Sequence, residues 1–318
     1  MDMLENFLKN RNKVFKLVCG AGNECEEDVE KLTFLYSLAG AHIFDICAKP
    51  EILLAAKRGL EKAGIEENRY ICLSVGMKGD PHIQKAVIDK NLCTNCGGCE
   101  DICPNDAIKN SEIITEKCIG CTKCYTDCSQ QAISMKEHDI DLNKVLPELV
   151  KMGIDCIELH ATSEFDEDIW DKWEVITKNF NGILSICIDR LNLGNKQVLK
   201  RLQRMLDKRK PYTTIIQADG IPMSGADDNL KTTLQAVAMA EIVQNYELPA
   251  YIFISGGTNS KTSQLAKICD LDYKGIAIGS YARKIVKKYI SDKNFYREDV
   301  FNIALKQAKD LVEESIKE

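Results

Sequence analysis

Eight of the chain's 15 cysteines fall into two runs of identical spacing. The first reads Cys93-Thr-Asn-Cys96-Gly-Gly-Cys99-Glu-Asp-Ile-Cys103-Pro104, the second Cys118-Ile-Gly-Cys121-Thr-Lys-Cys124-Tyr-Thr-Asp-Cys128. Each is C-x2-C-x2-C-x3-C, the spacing in which three thiolates wrap one iron–sulfur cube and the fourth crosses to the neighbouring one. That crossing assigns Cys93, Cys96, Cys99 and Cys128 to one [4Fe–4S] cluster, and Cys118, Cys121, Cys124 and Cys103 to a second. The runs also form an internal repeat, since Asn105-Asp106-Ala107-Ile108 closes the first and Gln130-Gln131-Ala132-Ile133 the second. Pro104 follows the first run, whereas Ser129 stands where a second proline would be. A zinc site would use one quartet of paired cysteines around a longer loop, and a disulfide framework belongs to an oxidising compartment. Neither accounts for an evenly spaced duplication.

The totals narrow the setting. A chain of 318 residues with 45% hydrophobic residues and a formal charge of −6 is an ordinary globular composition, long enough for one large domain or two small ones. No run approaches the roughly 18 apolar residues that span a bilayer, and the first ten residues are too acidic and polar for a signal peptide. A cytoplasmic protein without a membrane partner is expected. The acidic balance and the lack of a dense Lys/Arg stripe argue against nucleic acid. The basic group around Lys200, Arg201, Arg204 and Lys208 to Lys210 reads as the solvated face of a helix.

The elements that must position these cysteines alternate regularly. Apolar runs ended by turn residues predict strands over 14–19, 43–47, 70–75, 154–159, 183–188, 213–217, 251–254 and 275–278. Helical periodicity fills 2–11, 26–38, 50–63, 142–152, 166–179, 196–207, 230–244 and 260–268, with Pro50 at a first turn and Gly40 and Gly64 as C-caps. Eight strands in this alternation predict an α/β fold, a (β/α)8 TIM-type barrel, with a ferredoxin-like two-cluster insertion after the third strand. The expected division is 1–86 for the first three strands, 87–134 for the insertion, and 135–318 for the remaining strands and a C-terminal helix. Without the insertion 270 residues remain, near the ~250 typical of that barrel. An open doubly wound sheet would want a dinucleotide-binding turn after the first strand, and Gly20-Ala-Gly22-Asn23-Glu24-Cys25 lacks its third glycine.

In such a barrel the ligand face lies at the carboxyl ends of the strands, so the insertion hangs over it. The last two strands end in Ser255-Gly256-Gly257-Thr258-Asn259 and Gly279-Ser280-Tyr281-Ala282-Arg283. Glycines there let backbone N–H groups approach an anion at the fold's usual phosphate site. Gly256, Gly257, Thr258, Gly279, Ser280 and Arg283 are therefore candidates for a phosphate-bearing ligand, flavin mononucleotide (FMN) among them, against the plainer reading that the glycines only turn the chain. Asp45, Lys49, Asp80, His82, Lys85, Glu158, His160, Asp189, Arg190, Gln217 and Asp219 also fall at strand ends. Of these His82, His160 and Asp219 are the candidates for catalysis, with no nucleophile at motif spacing beside them. Most of the seven remaining cysteines sit in apolar strands and read as small core residues; Cys19, Cys25 and Cys47 would face the clusters' rim.

Lys16-Leu-Val-Cys-Gly-Ala-Gly22, Ala39-Gly-Ala-His-Ile-Phe-Asp45 with Ala48-Lys-Pro50, and Gly79-Asp-Pro-His82 precede the cysteines. Gln217-Ala-Asp-Gly-Ile-Pro-Met-Ser-Gly225, Ser255-Gly-Gly-Thr-Asn259 and Gly275-Ile-Ala-Ile-Gly-Ser-Tyr-Ala-Arg283 follow them. Together these blocks resemble the light-dependent period protein (LdpA) family over nearly the whole chain. The resemblance implies an iron–sulfur protein with a barrel-like body that in cyanobacteria senses redox state and adjusts the period of the circadian clock. Three readings follow. The first is a redox protein that senses or relays electrons, docking a ferredoxin- or flavodoxin-like donor or acceptor. The second is a flavin-dependent iron–sulfur oxidoreductase, and the third a ferredoxin-like carrier with a scaffold barrel.

Overall fold

The computed structural model describes residues 3–317, apart from positions 21, 66, 139, 164–165 and 222–229. Strands β1 (Val14–Gly20), β2 (Ile43–Cys47) and β3 (Tyr70–Val75) are each followed or preceded by a helix, α1 (Met3–Asn10), α2 (Glu26–Ala39) and α3 (Pro50–Ala63). The sheet continues only after a long excursion through β4 (Gln84–Ile88), α4 (Gly98–Ile102), β5 (Ile108–Lys109), β6 (Glu112–Ile113), α5 (Lys123–Asp127) and β7 (Ile133–Glu137). It resumes with α6 (Leu142–Lys151), β8 (Cys156–His160), α7 (Asp166–Asn179), β9 (Ile183–Ile188), α8 (Asn195–Leu206) and β10 (Thr214–Asp219). The last elements are α9 (Leu230–Gln244), β11 (Tyr251–Ser255), α10 (Thr262–Ile268), β12 (Gly275–Ile278), α11 (Ser280–Ile290) and α12 (Glu298–Ile316).

The eight strands β1, β2, β3, β8, β9, β10, β11 and β12 pair in parallel and close on themselves, β12 against β1. Their apolar runs are buried along almost their whole length because helices cover one face and the barrel interior the other. The expected eight-stranded barrel and its excursion after the third strand are both present. The fourth barrel strand begins later than its apolar run, at Cys156. Asp155 stands outside it and accepts the Ile71 N–H on its carboxylate, at 2.8 Å. The sixth runs two residues further than expected, to Asp219, which brings that side chain into the interior. No helix among the described residues is long and apolar enough to cross a membrane.

The amino end of the barrel is closed by α1. Leu4 and Leu8 pack on Val14, Ile43, Tyr70, Ile183, Ile215 and Phe253, a layer separate from the main core. At its rim His42 is 5% exposed, lies 5.2 Å from the Phe7 ring, and accepts the Phe15 N–H on Nδ1 at 3.1 Å. Burial, with Arg11 and Arg69 nearby, pushes this imidazole down to about 3. The native state therefore excludes a proton that the unfolded chain takes up below its ordinary pKa near 6.5, so stability is lost as pH falls through that value. Between about pH 7.5 and about pH 5.5 this one group is worth on the order of 1.4 kcal/mol. Urea denaturation of the wild type and of His42→Gln at the two pH values should show that difference only in the wild type. Parallel losses in both proteins would remove His42 as the cause.

Candidate functional site

Within the excursion, β4 and β7 pair antiparallel from Gln84↔Glu137 to Ile88↔Ile133, and a small core of Ala86, Ala107, Ile108, Cys118, Cys124 and Ile133 lies beneath them. The cysteine repeat is a conformational repeat as well. Asn95 and Gly120, Gly97 and Thr122, and Asp106 and Gln131 occupy equivalent places, and all six have left-handed φ between 49° and 79°. Asn95, Thr122, Asp106 and Gln131 adopt it despite carrying side chains, which marks a backbone held for a purpose. Alternating hand along a loop turns successive N–H groups inward, the arrangement that cradles anionic iron–sulfur groups.

The side chains agree with that reading. One cavity of about 190 Å³ is lined by Cys93, Cys96, Cys99 and Cys128, and another of about 20 Å³ by Cys103, Cys118, Cys121 and Cys124. These are the two crossed quartets. In the first, Cys96 is exposed; in the second, Cys118 and Cys124 are buried. Burial, then the neighbouring Cys121, Cys118 and Cys103 thiols, push Cys124 up to about 12, and burial raises Cys121 and Cys99. Thiols crowded in this way do not ionise unaided, so the set suits a cationic metal that holds them as thiolates. Backbone N–H groups already point at two of the sulfurs, Ala107 N at Cys103 Sγ (3.3 Å) and Ala86 N at Cys118 Sγ (3.4 Å). Such bonds stabilise a charged sulfur.

Below this unit, the barrel interior carries a connected polar network. Lys16 on β1 is 1% exposed, and its Nζ lies 2.6 Å from Asp45 on β2, 2.6 Å from Glu158 on β8 and 2.9 Å from Gln217 Oε1 on β10. Ser74 donates to Asp45 at 2.5 Å, and Ser185 to Glu158 at 2.6 Å. Burial would strip the charge from Lys16, but Asp45 and Glu158 outweigh it and hold the ammonium well above its ordinary pKa. Above this layer Asp80 sits between two imidazoles, Oδ1 on His82 Nδ1 at 2.7 Å and Oδ2 on His160 Nδ1 at 2.8 Å. Burial opposes the charge on His160 as well, and Asp80 and Glu158 overcome it.

A cavity of about 70 Å³ opens at the carboxyl ends of the strands. His82, His160, Glu158, Gln217, Asp219, Gly256, Gly257, Thr258, Gly279, Ser280 and Arg283 all border it. The three candidate catalytic residues and the six candidate ligand residues thus share one small space, too small for a cofactor pocket of the usual ~300–1,000 Å³. Two details qualify the glycine-loop reading. Thr258 donates its hydroxyl to Ala277 O at 2.6 Å, and a Cβ on Gly256 would stand 1.6 Å from Asp219 Oδ1. Part of that pattern therefore serves packing. The Pro222-Met-Ser-Gly225 block lies outside the described residues.

The roof of the cavity comes from the cysteine unit. Ile119, between Cys118 and Cys121, borders the cavity beside Gly22 and His82. Gly120, at φ +71°, lies so close under Pro81 O that a Cβ would stand 1.8 Å from it. Buried Lys85 fastens the two parts, donating to Cys118 O at 2.6 Å and to Gly22 O at 2.7 Å, with Glu24 at 3.2 Å.

Comparison with known proteins places this architecture. The light dependent period A C-terminal domain profile matches residues 148–318, and a 4Fe-4S binding domain profile matches residues 86–109. Light dependent period A of Synechococcus elongatus is 30% identical over 284 residues, covering 85% of this chain and 80% of that protein. The chain belongs to the light dependent period A family. A ferredoxin of Pyrobaculum islandicum is 36% identical over 56 residues, 16% of this chain and 52% of the ferredoxin. Tryptophan synthase subunit alpha from Legionella pneumophila superposes with a TM-score of 0.51 at 11% identity, covering 99% of this chain and 98% of that one, a likeness of fold alone.

This member of the light dependent period A family is accordingly an iron–sulfur protein on a closed α/β barrel. Sequence reasoning placed the cysteines and most strand-end groups but missed Lys16, Ser74, Ser185, Cys187 and Ile119. Lys16 carried one signal, a single lysine inside the apolar run Val14-Phe-Lys-Leu-Val-Cys19. Replacing it by methionine leaves Asp45 and Glu158 buried without their cation, which should cost about 3–5 kcal/mol in urea denaturation at neutral pH. A loss below about 1 kcal/mol would show that the carboxylates find another partner.

Proposed function

We propose that this protein senses or relays electrons through two [4Fe–4S] clusters and that the barrel mouth reads their state. Cys93, Cys96, Cys99 and Cys128 would hold the outer cluster and Cys103, Cys118, Cys121 and Cys124 the inner one. Each cluster, when bound, supplies a site that takes up or gives up one electron at a time. The observation that carries the reading is the Cys118-Ile119-Gly120-Cys121 loop, which offers two inner-quartet thiols and at the same time roofs the barrel cavity. A change of charge at those sulfurs acts on a backbone that Gly120 and Lys85 pin to the barrel. The exposed Cys96 puts the outer quartet at the surface, where an electron-carrier protein of ferredoxin or flavodoxin type would dock. A cytoplasmic setting suits thiol-rich sites of this kind.

A second reading has its own observation. A cleft of about 330 Å³ runs between the cysteine unit and α11, bordered by Cys103, Cys121, Ser280, Arg283, Lys284 and Lys287. It adjoins the mouth cavity through Ile119, Ser280 and Arg283. A phosphate-bearing ligand of flavin size fits it better than it fits the mouth, and would sit against the inner quartet.

Protein prepared without oxygen should carry about eight irons and eight sulfides per chain; about four would overturn the two-cluster reading. Hydrogen exchange at the carboxyl ends of β8, β9 and β10 should differ between the oxidised and dithionite-reduced forms. Ile119→Ala should abolish that difference at unchanged iron content. Identical exchange in both redox states of the wild type would sink the sensor and leave a carrier on a scaffold barrel. Stoichiometric flavin in the acid-released supernatant would bring the oxidoreductase forward.

A further inference from the structure

The barrel mouth holds a second group of donors that the iron–sulfur sites do not use. A ring nitrogen of His160, a carboxylate oxygen of Glu158 and Cys187 Sγ lie within 4.8 Å of one another, and all three residues are buried. His160 Nε2 and Glu158 Oε1 are 3.5 Å apart. That is long for a charge-assisted hydrogen bond, which closes to about 2.7–2.9 Å. It matches two ligands on one metal, since donors about 2.1 Å from a tetrahedral ion stand about 3.4 Å apart. Cys187 donates its thiol to Asp219 Oδ2 at 3.4 Å, and the other oxygen of that carboxylate is buried with no hydrogen-bond partner among the described residues.

Two further features look built for an ion. His160 gives its other nitrogen, Nδ1, to Asp80 at 2.8 Å, so a carboxylate sets the ring's direction as it does for metal-ligating histidines. Charge is also unbalanced. Five buried carboxyl groups (Asp45, Asp80, Glu158, Asp189 and Asp219) gather in this interior. Lys16 answers Asp45 and Glu158 and the two imidazoles answer Asp80, while among the described residues no lysine, arginine or histidine forms an ion pair with Asp189 or Asp219. Glu158 is already engaged through Oε2 by Lys16 and Ser185, and its Oε1 takes the Gln217 amide at 3.0 Å. A second lone pair of Oε1 remains on the His160 side.

We propose that His160 Nε2, Glu158 Oε1 and Cys187 Sγ bind one divalent transition-metal ion at the barrel mouth. One nitrogen, one sulfur and carboxylate oxygen form a borderline donor set that favours zinc or ferrous iron over magnesium or calcium. The ion displaces the proton shared at His160 Nε2 and the thiol proton of Cys187, so binding releases protons. The cavity of about 70 Å³ bordered by His82, Gln217 and Ile119 leaves room for a water, or a small oxygen ligand, on the ion beneath the inner quartet.

The test uses the full-length protein with its iron and sulfide intact, dialysed anaerobically against zinc alone. About one zinc per chain is expected in addition to unchanged iron. Cys187→Ala and His160→Gln should each weaken zinc binding at least about tenfold, the lower end of what losing an outer-shell partner costs, while iron and sulfide per chain stay as in the wild type. Cobalt in place of zinc should give a high-spin resonance that is lost with Cys187. No zinc beyond the iron sites in the wild type, or equal zinc in the wild type and Cys187→Ala, would overturn the assignment.

Discussion

The loop Cys118-Ile119-Gly120-Cys121 has to satisfy two neighbours at once, and much of the molecule is arranged around that demand. Its cysteines face the inner quartet's cavity, its isoleucine faces the barrel's, and its glycine passes under the Pro81 carbonyl where no side chain fits. Any residue but glycine at position 120 would push the loop off the barrel, since a Cβ there would overlap backbone rather than a movable side chain. Lys85 shows the same constraint electrostatically. An ammonium 1% exposed is tolerated because two carbonyls, one from each part, and the Glu24 carboxylate replace its water.

The barrel interior solves a related problem with the opposite sign. Closing eight parallel strands produces a core that would ordinarily be filled by apolar layers. Here the layer toward the carboxyl end is polar: Lys16, Asp45, Ser74, Glu158, Ser185 and Gln217 come from six different strands and are linked by hydrogen bonds and ion pairs. A buried network of this type is stable only when complete, because each orphaned member would cost more than the bond it lost. Asp219 and Asp189 stand at its upper edge, where burial pushes them up to about 7 and about 6. The network is tight at the bottom and open at the top, where the mouth cavity lies.

What was legible in the sequence follows from how local each signal is. The cysteine spacing is contained within the stretch from Cys93 to Cys128, and metal chemistry dictates it, so both quartets follow from the spacing alone. Strand and helix alternation needed only hydrophobic period and glycine or proline punctuation. Lys16 was not legible because its partners stand 29, 142 and 201 residues away, and a lysine in an apolar run looks like a register error until the barrel closes. Cys187 was hidden for the opposite reason. A cysteine in an apolar strand is usually core, and only the closed barrel puts the carboxylates of Glu158 and Asp219 beside it. Ile119 carries no signal of its own in the sequence, since nothing local says which surface the ferredoxin-like unit turns to the barrel.

The place of the excursion in the chain has a consequence of its own. Its entry leg, between β3 and β4, carries Asp80 and His82, and Asp80 reaches across to His160 on β8. Its exit leg returns beside it, with His138 N bonded to Ile83 O and the Glu137 carboxylate accepting Gly79 N. The two legs are therefore tied to each other, and the entry leg and the 118–121 loop both border the mouth cavity through His82 and Ile119. An insertion at another loop would have touched the mouth only through its lid; here the connection that carries the cysteine unit also supplies an imidazole and a carboxylate to the cavity. A displacement of the unit as a rigid body would then move Ile119, His82 and Asp80 together, while Lys16 and its partners, fixed to the strands, would stay in place. The mouth, rather than the barrel core, is thus the part of the barrel built partly from the segment that carries the cysteines.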